Sequence, residues 1–151
     1  MSAAWVGPAV RVAVGIISDD TGAVLIARRP RQAHQGGLWE FPGGKLEPGE
    51  TVEAALRREL FEELGIQLQT AEPWLRVDHA YSDKTVSLEV WRVLAYRGEP
   101  RGREGQPLAW VKASDLPAFP FPAADQAIIT QLIASFQIAQ HASSKAISAV
   151  L

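Results

Sequence analysis

Residues 44–66 read GKLEPGETVEAALRRELFEELGI, and the larger part of this stretch predicts an α-helix from Thr51 to Leu64. Thr51 is a suitable N-cap, and the alanine, leucine, arginine and glutamate residues that follow favour helix. Gly65 stands where a C-terminal cap belongs. Residues 43–49 contain three glycines and one proline and predict a loop. A glycine-rich loop therefore leads into a helix.

Three glutamates are expected to share one face of this helix. Positions i, i+3 and i+4 are neighbours on a helix surface, which brings Glu59, Glu62 and Glu63 together beside a row of leucines. Carboxylates so close repel one another unless a cation lies among them, and oxygen ligands favour Mg²⁺ or Mn²⁺. The alternative is that the three residues only form a solvated helix face.

The residues around this face also favour an anionic ligand. Arg58 is expected on another side of the helix, where it can pair with an acid such as Glu50 and hold the helix against the loop. A loop that leads into a helix N-terminus is favourable for anions. Carboxylates and such a loop together favour metal-assisted hydrolysis of a phosphate anhydride.

Composition limits the class of protein. A chain of 151 residues, 47% of them apolar and 21% charged, predicts one globular domain. The lack of cysteine excludes disulfides and thiolate chemistry, so any metal must be held by oxygen or imidazole. The net charge of −2 argues against stable nucleic-acid binding. Because no targeting or membrane-spanning segment is evident, we expect a cytoplasmic protein. We also expect a monomer or a homodimer.

The element order predicts an α/β fold in which helices pack on a mixed sheet. The pattern indicates strands at 10–17 and 24–28 joined as a hairpin, a short extended piece at 39–41, a strand pair at 74–81 and 85–96, a strand at 108–111 and a helix over 123–136. A helical turn is expected at 114–116, interrupted by Pro117. Residues 137–151 are expected to be a tail or a helix extension.

The spacing of the fixed residues between Gly44 and Ile66 is that of the Nudix box, Gly-x5-Glu-x7-Arg-Glu-aliphatic-x-Glu-Glu-x-Gly-aliphatic, and every fixed position matches. The sequence resembles the MutT-like branch of the Nudix hydrolases over about residues 10–136, including segments 38–45 and 121–125. The resemblance implies an α/β/α sandwich, with a mixed sheet and helices on both sides. It also implies that residues 1–151 form one Nudix domain with a core of about 9–136.

The resemblance further implies an enzyme that hydrolyses nucleoside triphosphates to a monophosphate and pyrophosphate with Mg²⁺, for which Mn²⁺ can substitute. Glu59, Glu62, Glu63 and Glu104 would be metal ligands together with the backbone carbonyl of Gly44. Glu59 would also activate water, and Glu104 would be a further ligand or a base. For Glu104 the alternative is a solvated loop acid.

The same resemblance implies a set of substrate contacts. Arg29 and Lys45 match positions that touch phosphates, although Arg29 is equally compatible with a surface arginine. An aromatic residue such as Tyr81 is common in this region of related hydrolases, and His34 could be only a solvated loop residue. The complete set is Arg29, His34, Glu40, Phe41, Lys45, Tyr81 and Asp125.

Asp125 leaves the preferred base open, because the MutT-like pattern has Asn at this position. Ionised Asp125 only accepts hydrogen bonds and suits an amine such as that of cytosine, whereas a raised pKa would add a donor for oxidised guanine. Asp125 could instead be only the N-cap of the last helix. Oxidised or non-standard nucleotides such as 8-oxo-dGTP are the leading substrates. CTP or modified dCTP and a non-catalytic nucleotide-binding module are alternatives, and hydrolysis at the 5′ end of RNA is disfavoured by the charge.

Overall fold

The computed structural model describes residues 7–32 and 36–136, in which seven strands form two sheets. The strands are β1 (Val10–Ile16), β2 (Ala23–Arg28), β3 (Trp39–Glu40), β4 (Gly43–Lys45), β5 (Gln67–Ala80), β6 (Thr85–Arg97) and β7 (Leu108–Lys112). Helix α1 spans Val52–Leu64, 3₁₀ segments span Ala113–Ala118 and Ala123–Asp125, and helix α2 covers 126–136. The predicted tail at 137–151 lies outside the described residues.

Helix α1 begins and ends at the predicted residues. The Thr51 hydroxyl accepts a hydrogen bond from the Ala54 N–H at 3.1 Å, which caps the first turn. Gly65 adopts a left-handed conformation with φ of 71°, and its N–H donates to the Phe61 carbonyl. The helix buries its leucine face completely, as the sequence predicts, and this face comprises Leu56, Leu60 and Leu64.

The larger sheet is mixed and has the strand order β4-β1-β6-β5, with β1 parallel to β6 and antiparallel to β4. Ala13 of β1 packs in a cluster with α1, whereas its neighbour Val14 packs in a second cluster with Ile128 and Leu132 of α2. Successive residues of a strand point to opposite faces, so the two helices cover opposite sides of this sheet. The predicted mixed sheet with helices on both sides is confirmed.

The predicted hairpin of the first two strands is wrong. Asp19 does form the expected turn, because its carboxylate accepts the N–H groups of Thr21 and Ala23. Beyond one isolated bridge between Ser18 and Val24, however, β2 joins the smaller antiparallel sheet, whose order is β3-β2-β7. Both edges of β1 are paired, with β4 on one side and β6 on the other, so β2 cannot lie beside it in this sheet.

Two further predictions need correction. Residues 43–45 form strand β4 rather than a loop, because Gly43, with φ of 147°, approaches β1 so closely that a Cβ atom would overlap the Ala13 carbonyl oxygen. Strand β5 begins at Gln67 rather than at residue 74, since Pro73 is tolerated beside a bulge on this edge strand. Pro117 lies within a 3₁₀ segment and does not interrupt it.

None of the described helices combines the length and the apolar character needed to cross a membrane.

Candidate active site

A cavity of about 320 Å³ lies over β4, β1 and β6. Its walls bring together every described residue of the expected substrate set, namely Arg29, Glu40, Phe41, Lys45, Tyr81 and Asp125. Gly44 and Glu63 of the expected metal site also line it, whereas Glu59, Glu62 and Glu104 do not. His34 lies outside the described residues.

The floor of the cavity is apolar and was not anticipated from the sequence. Val10 of β1 pairs with Val86 of β6, and Val12 pairs with Leu88. Lys45 of β4 lies opposite Val12 on the other side of β1. Because neighbouring strands are about 4.8 Å apart, the cavity crosses the sheet over roughly 10 Å between β4 and β6. The alternating valines of β1 are the sequence signal for this floor.

Lys84 is a second cavity residue that sequence reasoning missed. It follows the Ser82-Asp83 turn between β5 and β6 and adds a positive side chain to the wall near Tyr81. A lone lysine in a turn carries no motif, so only the folded arrangement reveals it.

Glu63 lies where the end of α1 meets the first residue of β4. Its carboxylate accepts the Gly43 N–H at 3.3 Å. Burial, reinforced by the negative charges of Glu40 and Glu59, raises the pKa of the Glu63 carboxyl to about 8. A carboxyl that resists ionisation in this way would be stabilised as a carboxylate by a bound cation.

Glu59 lies against the backbone of β4. A Cβ atom on Gly44 would overlap the Glu59 carboxylate, so only glycine at this position lets the acid approach the strand. Burial raises the pKa of the Glu59 carboxyl, while the hydrogen bond from Arg58 opposes that effect. The Gly44 backbone and the Glu59 carboxylate are therefore neighbours.

Arg58 connects the loop and the acidic face. Its guanidinium donates to both carboxylate oxygens of Glu50, at 2.8 and 2.9 Å, and these bonds lower the pKa of Glu50 to about 2. The predicted Arg58–Glu50 pair is thus confirmed. Arg58 also donates to Glu59 at 2.8 Å and lies 3.5 Å from a Glu62 oxygen. The expectation that it lies apart from the acidic face is wrong, because its long side chain reaches both acids.

The expected metal ligands are not gathered into a finished site. Within the described ranges, no three carboxylates or imidazoles are arranged so that they could hold a metal ion. The Glu62 side chain is half exposed and Glu104 is exposed, while the Glu59 carboxylate accepts a hydrogen bond from Arg58.

The donor chemistry nevertheless fits a hard divalent cation. Burial is the main cause that raises the pKa values of Glu40, Glu59 and Glu63, and the negative charge of Glu104 adds to it in each case, so these acids lie close enough to repel one another. All the donors are oxygens, as Mg²⁺ and Mn²⁺ prefer.

Asp125 lines the same cavity and is buried, with 8% of its surface exposed. Burial, together with the negative charge of Glu40, raises the pKa of Asp125 to about 7, although Arg29 opposes this effect. Arg29 itself forms an ion pair with Glu40 at 2.8 Å. Among the described residues, no hydrogen bond joins the Asp125 carboxyl to the backbone of α2, so the simple N-cap alternative gains no support.

Two aromatic residues of the expected substrate set have structural contacts behind the cavity wall. The Tyr81 hydroxyl accepts a hydrogen bond from the Ala124 N–H at 3.1 Å. The Phe41 ring is buried and stacks on Phe121, with ring centres 5.2 Å apart. Both residues therefore hold the segment that carries Asp125, and Phe41 is packed too deeply for its ring faces to be free.

The family model of the NUDIX domain matches residues 13–131, which is most of the chain. The chain belongs to the NUDIX family. Its Nudix box comprises β4, the following loop and α1, and the family and the hydrolase class expected from the sequence are confirmed.

Relatives of this Nudix chain carry two activities. The 8-oxo-dGTP diphosphatase of Escherichia coli K12 is 41% identical over 123 residues, which cover 82% of this chain and 95% of the relative. The CTP pyrophosphohydrolase of the same organism is 37% identical over 125 residues, covering 83% and 92%. The crystal structure of a MutT NUDIX hydrolase from Burkholderia pseudomallei matches with a TM-score of 0.74 and 32% identity, over 83% of this chain and 98% of that one.

Proposed function

We propose that this Nudix hydrolase converts oxidised or otherwise non-standard nucleoside triphosphates, such as 8-oxo-dGTP, to the monophosphate and pyrophosphate. The observation that carries the proposal is one cavity that is lined by Lys45, Glu63 and Asp125 together. A base linked to a polyphosphate needs both charged groups for its phosphates and a polar group for its base. The 8-oxo-dGTP diphosphatase relatives from Escherichia coli and Haemophilus influenzae, 41% and 40% identical, support the same substrate class.

The positive side chains of the cavity are suited to a polyphosphate. Lys45 and Arg29 supply positive side chains, and Lys84 adds a third on the same cavity. Arg29 forms an ion pair with Glu40, which fixes the direction of its guanidinium. Phosphate binding by these residues offsets part of the repulsion from the acidic face of α1.

The acidic face is proposed to hold Mg²⁺, or Mn²⁺ in its place, through Glu59, Glu62, Glu63 and Glu104 with the Gly44 carbonyl. When bound, the ion neutralises phosphate charge and lowers the pKa of water. Metal binding by Glu59 would replace its hydrogen bond from Arg58, whose two bonds to Glu50 would remain. Glu59 then accepts the proton of the water that attacks the β-phosphorus.

Asp125 is suited to a base that offers both a hydrogen-bond donor and a hydrogen-bond acceptor. With a pKa near 7, Asp125 is present in both protonation states at neutral pH, so it can accept from a ring N–H and donate to a carbonyl oxygen. The apolar floor formed by Val10, Val12 and Leu88 supports the flat face of the base. A buried carboxyl between such surfaces favours oxidised guanine.

Hydrolysis of CTP or modified dCTP is the second candidate. Ionised Asp125 accepts from an exocyclic amine, and the CTP pyrophosphohydrolase relative is 37% identical. Either activity would belong to nucleotide-pool sanitation in the cytoplasm, where nucleoside triphosphates are found, and would protect DNA from damaged precursors.

A substrate panel tests the proposal. We expect kcat/KM to be highest for 8-oxo-dGTP among 8-oxo-dGTP, dGTP, CTP, 5-substituted dCTP and ADP-ribose. Asp125→Asn should retain 8-oxo-dGTP turnover, because an amide also offers a donor and an acceptor. If kcat/KM is highest for CTP, the result would instead support the second candidate, hydrolysis of CTP or modified dCTP. Calorimetric binding without turnover of any nucleotide would contradict both and favour a non-catalytic module.

A further inference from the structure

The C-terminal end of helix α1 is capped by a loop that is distant in sequence. The last carbonyls of a helix lack partners within the helix. Here the Leu64 carbonyl accepts the Arg101 N–H at 3.0 Å, and the Glu63 carbonyl accepts the Arg103 N–H at 3.0 Å. The Arg103 guanidinium donates to the Phe61 carbonyl at 2.9 Å. Residues 101–106 are therefore fixed to the end of the helix that carries the acidic face.

Gln106 makes a different connection from the other residues of this loop. Its side-chain N–H donates to the Glu63 carbonyl at 2.9 Å, and its side-chain oxygen accepts the Glu104 N–H at 2.8 Å. One amide group thus joins the backbone of Glu63 to the backbone of Glu104. Gly102 leaves room for this arrangement, because a Cβ atom there would overlap the backbone carbonyl of Gln106.

We propose that Gln106 is a positioning residue that holds Glu104 beside the acidic face of α1. The proposal rests on the role given to Glu104 in the proposed function. Glu104 is an exposed loop acid that faces repulsion from Glu59 and Glu63, so it needs a fixed backbone to remain near them. The Gln106 amide adds to the backbone bonds of Arg101 and Arg103, because one of its hydrogen bonds anchors the amide at Glu63 and the other holds the Glu104 N–H itself.

Arg103 provides a matched control in the same loop. Its side chain also caps α1, but it contacts the Phe61 carbonyl and the Phe61 ring, with its guanidinium 5.2 Å from the ring centre. Among the contacts of the described residues, none joins the Arg103 side chain to Glu104. Removing the Arg103 side chain should weaken the helix end without freeing Glu104.

The experiment measures Gln106→Met and Arg103→Met, each alone and combined with Glu104→Gln. The readouts are Mn²⁺ binding to the nucleotide-free protein by electron paramagnetic resonance, amide exchange of Glu104 in metal-free protein, and kcat for 8-oxo-dGTP. Gln106→Met should weaken Mn²⁺ binding about tenfold, as the loss of a residue that orients a ligand does, and should accelerate Glu104 exchange. With Glu104→Gln present, Gln106→Met should cause no further loss. Arg103→Met should lower only the melting temperature.

Three results would overturn the inference. Equal losses from Gln106→Met with and without Glu104→Gln would mean that Gln106 only supports the helix end, and the proposed function would stand. No effect of Glu104→Gln on Mn²⁺ binding or kcat would remove the role of Glu104, while turnover by the same chain would still support the hydrolase. Unchanged amide exchange of Glu104 in Gln106→Met would also contradict it, because the Gln106 side chain would then not hold the Glu104 backbone.

Discussion

Replacing Asp125 with Asn should change how the stability of the protein depends on pH. Burial raises the pKa of Asp125 from its ordinary 3.8 to about 7 in the folded chain. Between these two values the unfolded chain has released the proton while the folded chain still holds it. The stabilisation that this proton provides is therefore fully present below pH 3.8 and is lost as the pH rises to about 7. Above that pH, Asp125 causes no further change in the free energy of unfolding.

The size of this effect follows from the two pKa values. One pH unit is worth about 1.4 kcal/mol, so the free energy of unfolding should fall by about 4 kcal/mol between pH 4 and pH 7 because of this one group. The low exposure of Asp125, at 8%, makes solvent screening small. Asn carries no titrating proton, so the variant should lack this part of the pH dependence.

Urea unfolding of both proteins from pH 4 to pH 9 measures the difference. Subtracting the Asp125→Asn curve removes the contribution of Glu63, which titrates in both proteins. The exposed Asp115→Asn serves as the control for the amide substitution itself. A difference curve that is flat from pH 4 to pH 7, or that rises with pH, would show that Asp125 is not a buried proton-holding group.

Further predictions concern the acidic face and its supports. Glu59→Gln should leave the melting temperature nearly unchanged and lower kcat at least about 100-fold in steady-state assays, because the proton acceptor is lost. Gly44→Ala should lower kcat about 100-fold, since the new Cβ atom displaces the Glu59 carboxylate, and normal kcat would contradict the close approach. Tyr81→Phe should cost about 1 kcal/mol in chemical unfolding through the lost Ala124 hydrogen bond. Thr51→Ala should cost about 1 kcal/mol with unchanged kcat/KM.

Local features of the sequence predicted local structure well. The ends of α1 could be predicted because Thr51 and Gly65 act through neighbouring backbone groups. The Arg58–Glu50 ion pair could be predicted for a related reason, since both residues belong to one short segment whose charges must be compensated.

Features that depend on distant segments could not be predicted. The apolar periodicity of β1 says that it is buried but does not name β6 as its parallel partner. The strand character of Gly43 appears only when β1 approaches it. Likewise, the hydrogen bond from the Gln106 amide to the Glu63 carbonyl joins residues 43 positions apart, and no local pattern in the sequence indicates it.

For the candidate site, residue types were easier to predict than their arrangement. The sequence indicated which carboxylates and cations matter, and five of those residues line one cavity, namely Arg29, Glu40, Lys45, Glu63 and Asp125. It did not indicate that Arg58 lies over Glu59, because the pattern of a helix face ignores the reach of a long side chain.

The most direct test of the central claim is the identity of the products from 8-oxo-dGTP. Hydrolysis in ¹⁸O-labelled water with Mg²⁺ should yield 8-oxo-dGMP and pyrophosphate, with the label in pyrophosphate because water attacks the β-phosphorus. Chelation of the metal should abolish turnover. Release of orthophosphate with a diphosphate, label in the monophosphate, or full activity with chelator present would contradict the claim that this cavity is a metal-assisted nucleoside triphosphate pyrophosphohydrolase site.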